Sequence, residues 1–67
     1  MYKFKIEKKK ELTSKYKLSD MADMIGLNLS TMSRIINGKQ ACKKVVALCI
    51  TKLLDQDKEI NEYFEQI

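Results

Sequence analysis

Tyr2, Phe4 and Ile6 alternate with Lys3 and Lys5, the period-2 pattern of a short half-buried strand or extended arm. The pattern offers no second strand, so the arm over residues 1–6 either lies on the core through its aromatic rings or pairs with a symmetry mate in a dimer. The period then becomes helical. Residues 7–16 are rich in Lys, Glu and Leu, with Leu12 and Tyr16 four apart on one face. Leu18, Met21 and Ile25 share a face from which Asp20 and Asp23 are excluded, and Gly26 stands where a positive φ ends a helix at least steric cost. Asn28 is suited to cap a third helix from Leu29 to Ile36, and Asn37-Gly38 to end it. From about Cys42 to Leu54 the chain is apolar around most of a helical circumference, which predicts a central buried fourth helix. Asp55-Gln56-Asp57 reads as a capping stretch before a fifth helix, in which Ile60, Phe64 and Ile67 fall on one face that closes the core or forms a dimer interface.

A chain of 67 residues suffices for one compact domain, 1–67, with a thin core, since about 60% of the unfolded surface is buried at this size. The absence of proline and the presence of only two glycines favour continuous helices, so the predicted class is all-α with five helices behind a short extended arm. No apolar run approaches the roughly 18–20 residues of a membrane span, and no apolar core of a signal peptide follows the Lys-rich start; a soluble, cytoplasmic protein is expected. Cys42 and Cys49, placed on the fourth helix, would lie about 10 Å apart, too far for a disulfide. They read as reduced thiols on a largely buried helix face, and Met21, Met24 and Met32 as core or its rim. With no histidine, no metal site is expected.

The net charge of +4 is unevenly distributed: residues 1–44 carry +7 and residues 45–67 carry −3. A basic region suits a polyanion, because Lys and Arg gain affinity by releasing counterions from phosphates, although a generic solvated surface has the same composition. Lys43 and Lys44 open the fourth helix beside the positive end of its dipole, a misfit that an external anion would relieve. Without histidine, a phosphate-cradling glycine loop or paired carboxylates, the chain does not read as an enzyme, and no cofactor or small-molecule substrate is expected.

Two short helices joined by a tight Gly-containing turn, with small Ala22 where they approach, have the geometry of a helix-turn-helix from about Leu18 to Asn37. Met32 and Ile35 anchor the second helix, leaving Ser30, Thr31, Ser33 and Arg34 outward. Leu18-x-x-Met-Ala-x-x-Ile-Gly-Leu-Asn-x-Ser-x-Met-Ser-Arg-Ile-x-Asn-Gly-Lys39 resembles the phage repressor and Cro-type, or XRE, helix-turn-helix family. The resemblance implies a repressor-like transcription regulator of phage or mobile-element origin that binds double-stranded DNA as a homodimer, with the second helix in the major groove. It places Leu29, Ser30, Ser33 and Arg34 at base-reading positions, and Asn28, Thr31, Asn37 and Lys39 near phosphates; Lys43 and Lys44 join that phosphate set. Arg34 is the foremost base reader, since a guanidinium pairs bidentately with guanine. Leu18 and Leu29 depart from the family, which often has Gln there; Leu29 either meets a thymine methyl or packs inward. Ile36, at a commonly polar position, is a candidate cover for the arm, and Lys8, Lys9 and Lys10 read as plain surface. The alternative function is a protein-binding antirepressor or inhibitor module on the same fold.

Overall fold

The computed structural model describes all residues, Met1–Ile67, and is about 61% helical with one small sheet. Strand β1 (Tyr2–Phe4) leads into a 3-10 turn (Ile6–Lys8) and then α1 (Lys9–Lys15), α2 (Leu18–Ile25), α3 (Leu29–Ile36), α4 (Lys44–Leu54), α5 (Ile60–Tyr63) and β2 (Phe64–Gln66). No helix is long and apolar enough to cross a membrane.

The domain is mostly helical with five helices, as expected, and carries in addition a small two-stranded sheet. β1 pairs antiparallel with β2 in the register Tyr2↔Gln66, Lys3↔Glu65 and Phe4↔Phe64. Its other edge is held by Cys42, with Tyr2 N–H donating to Cys42 C=O and Cys42 N–H to Tyr2 C=O, both at 2.8 Å. The arm thus finds its partners inside the chain, and no symmetry mate is needed to satisfy it. The fifth helix stops after a single turn for the same reason. A helix continued through Phe64 would leave the arm's N–H and C=O groups unpaired, whereas a strand there satisfies them and drives Phe64 inward. Phe64 and Phe4 are both buried and meet edge-on, with centroids 5.2 Å apart and an interplanar angle of 75°.

Pairing with Tyr2 also takes Cys42 out of α4, so the two cysteines do not share a helix; Cys42 is buried, Cys49 is exposed, and both are free thiols. Burial pushes the Cys42 thiol above its ordinary pKa. Only one face of α4 is buried, through Ala47, Ile50, Thr51 and Leu54; the Thr51 hydroxyl is satisfied by donating to Ala47 C=O at 2.8 Å. Val45, Leu48 and Cys49 face outward, against the expectation of a helix buried around most of its circumference, and Met24 of α2 is exposed at the rim of the core. Asp55 Oδ1 accepts from Asp57 N–H in the turn after α4 and does not cap α5.

Lysine amines stitch the elements together. Lys15 Nζ donates to Leu54 C=O at the end of α4, and Lys5 Nζ to Asn61 C=O in α5. Lys8 pairs with Glu62 at 3.1 Å, a contact that raises the lysine's pKa and lowers the carboxylate's, and lies 5.8 Å from the Tyr63 ring centroid. Tyr63 Oη donates to Glu11 at 2.7 Å; this bond, then burial, pushes the phenol up to about 12.

Candidate nucleic-acid interface

The α2–α3 unit is built by local chemistry. Leu18, Met21, Ala22 and Ile25 give α2 one apolar face, and the N–H groups of Gly26 and Leu27 both donate to Ala22 C=O as the helix ends. Gly26 has φ 88°, a left-handed conformation that a side chain would resist. Ala22 is buried on α2, which packs against α3 and α4, and its small side chain permits a close approach there. Asn28 Oδ1 accepts from Thr31 N–H at 2.8 Å and starts α3. The other end of α3 closes through Gly38 N–H to Ile35 C=O and Lys39 N–H to Arg34 C=O, with Gly38 at φ 73°.

Met32, Ile35 and Ile36 bury one side of α3, and α3 packs against both α2 and β1. Leu29, Ser30 and Arg34 are exposed on the other, with Thr31 and Ser33 half-buried at its margins. Leu29 is 51% exposed and so is not a packing residue. Arg34 makes no ion pair, the chain's one salt bridge being Lys8–Glu62. Lys39, Lys43 and Lys44 are all exposed along the segment leading from α3 into α4. Lys43 is the capping residue of α4 and Lys44 its first residue, and no acidic side chain enters that first turn. An unpaired cationic strip therefore lies next in sequence to the polar face of α3.

Two groups sit differently from their sequence expectation. Asn37 does not simply face outward: Lys9 Nζ donates to its Oδ1, and its Nδ2 donates to Ser33 Oγ at 3.2 Å. Lys9 is accordingly half-buried and tied to α3, and Lys8 is tied to α5, so only Lys10 of that run is plain surface. Asn28 spends its side-chain oxygen on the cap, which leaves its amide N–H groups for an outside acceptor. Sequence reasoning also passed over Lys3: a Cβ placed on Gly38 would meet its Cε at 3.6 Å, which brings an arm lysine to the end of α3. The alternation in the arm put Lys3 outward, but only the β1–β2 pairing decides where outward is.

A cleft of about 390 Å³ lies beside this end of α3, but Lys3 and Lys5 share it with Glu7 and Glu65, so it has no single sign of charge. On another side, Met24, Ile25, Cys49 and Leu53 line an apolar groove of about 280 Å³ between α2 and α4. No family model, curated protein or solved structure matches this chain.

Proposed function

We propose that the protein binds double-stranded DNA sequence-specifically through α3 and acts as a repressor- or Cro-like transcription regulator, the α2–α3 unit serving as its helix-turn-helix. The observation that carries the reading is the two-sidedness of α3: Met32, Ile35 and Ile36 hold it from behind while Leu29, Ser30 and Arg34 stand clear of the protein. A helix about 10–12 Å across with its side chains fits a major groove about 12 Å wide. The eight residues of α3 are long enough to span the groove floor.

In this reading the phosphate contacts set register and the α3 side chains choose bases. Lys39, Lys43 and Lys44, with amide donors from Asn28 and Asn37 and the Thr31 hydroxyl, supply the first. Arg34 pairs with a guanine edge, Ser30 and Ser33 hydrogen-bond, and Leu29 meets a thymine methyl. The phosphates would also relieve the misfit of Lys43 and Lys44 beside the positive end of α4. A two-fold dimer would place two copies of α3 on half-sites about one turn apart, so that occupancy of the site excludes or recruits polymerase.

Titrating a fluorescent random-sequence duplex at low salt tests this. Micromolar binding is expected, with a log–log salt slope near −3 if the three lysines each meet a phosphate, at about 0.9 per contact. The second reading, a protein-binding antirepressor or inhibitor module, is favoured by the outward apolar row Val45, Leu48 and Cys49 with Met24 close by. It gains if the duplex is not bound.

A further inference from the structure

A polar chain runs from α1 to the outer margin of α3. Lys9 Nζ donates to Asn37 Oδ1, and Asn37 Nδ2 donates to Ser33 Oγ at 3.2 Å. An ammonium has donors only, so it draws the amide oxygen of Asn37 toward itself and turns the NH2 group on Ser33. Ser33 Oγ therefore acts as an acceptor on the protein side, and its own O–H has no acceptor within the chain. All three side chains are half-buried, which limits the competition from water that would scramble the order.

We propose that Lys9, acting through Asn37, holds Ser33 as a hydrogen-bond donor toward the duplex, so that the base opposite Ser33 is selected for an acceptor on its major-groove edge. The proposal rests on the duplex-binding reading above. Guanine N7 and O6, adenine N7 and thymine O4 meet that requirement, whereas cytosine presents its N4 amino donor. Lys9 is a positioning residue: it sets the polarity of Ser33 without touching a base.

The test is selection from a random duplex library with the parent chain and with Ser33→Ala, Lys9→Met, Lys9→Arg and Asn37→Asp. Ser33→Ala identifies the base pair that Ser33 reads. Lys9→Met lets the Asn37 amide turn over, and should reduce the preference at that pair by about three- to tenfold, the span of one net hydrogen bond. Lys9→Arg keeps a donor and should keep the preference. Asn37→Asp replaces the amide by a carboxylate that accepts from both Lys9 and the Ser33 hydroxyl; Ser33 then turns a lone pair outward, and the selected base should shift toward the amino groups of cytosine N4 or adenine N6. A general loss of folding weakens all positions together and cannot produce a change confined to one pair. The proposal is overturned if Lys9→Met lowers affinity for all sequences alike while the Ser33 pair keeps its preference. A parent chain that enriches no site overturns the duplex reading, and this inference with it.

Discussion

Replacing Phe64 by Ala should remove a large share of the protein's stability. Phe64 is fully buried, belongs to a strand of only three residues, and meets Phe4 edge-on at 5.2 Å. Truncating a buried Phe to Ala costs about 3–5 kcal/mol, and an edge-to-face partner is worth about 0.5–1.5 kcal/mol beyond area burial. A chain of 67 residues has roughly 3–10 kcal/mol of stability in total, at about 0.05–0.15 kcal/mol per residue. The substitution therefore removes a third of the stability or more. Urea unfolding followed by far-UV circular dichroism reads this for Phe64→Ala. The milder Phe64→Leu, Phe4→Leu and the double variant isolate the ring pair, with an expected coupling of about 0.5–1.5 kcal/mol. If Phe64→Ala lost less than about 1 kcal/mol and the two Leu substitutions were additive, β1–β2 would not belong to the cooperative core.

Other outcomes follow from single groups. Gly26→Ala meets nothing within 4 Å, so its cost is the left-handed backbone alone, about 1–2 kcal/mol in the same unfolding assay. Asn28→Ala should cost about 1 kcal/mol by removing the cap of α3. The Tyr63 phenol is raised to about 12 in the fold, against about 10 in an unfolded chain. The stability it contributes is therefore intact below pH of about 10 and lost as pH rises toward about 12, so the gap between the parent and Tyr63→Phe in urea midpoint should narrow across that window; a constant gap would refute the assignment. On a selected site, Arg34→Ala should cost about 1–3 kcal/mol at one base pair, while Lys39→Ala should weaken all duplexes and flatten the salt slope by about one.

The parts of the fold legible in the sequence are those fixed within a few residues. Asn28 caps α3, Gly26 turns the chain, and Ala22, Met32 and Ile35 are buried as their spacing along the two helices requires. The β1–β2 sheet was not legible, because Phe64–Gln66 fits a helical face as well as a strand until its partner more than fifty residues earlier is known. Cys42 shows the same effect: its apolar character suits the start of α4, yet pairing with Tyr2 takes it. On α4, Val45, Leu48 and Cys49 are apolar but outward, a placement that depends on what packs against the helix and not on its own pattern. For the site, the exposed edge of α3 follows from periodicity, whereas the Lys9–Asn37–Ser33 chain depends on where α1 lies relative to the end of α3.

The claim that the outer edge of α3 is a duplex-reading surface is tested most directly by titrating the isotope-labelled protein with a short DNA duplex and following its backbone amides by NMR. The account predicts that shifts concentrate on Asn28–Arg34 and on Lys39, Lys43 and Lys44, while Asp20, Met24, Leu48 and Cys49 stay still. Shifts confined to the α2–α4 groove, or no shifts at low salt, would contradict it.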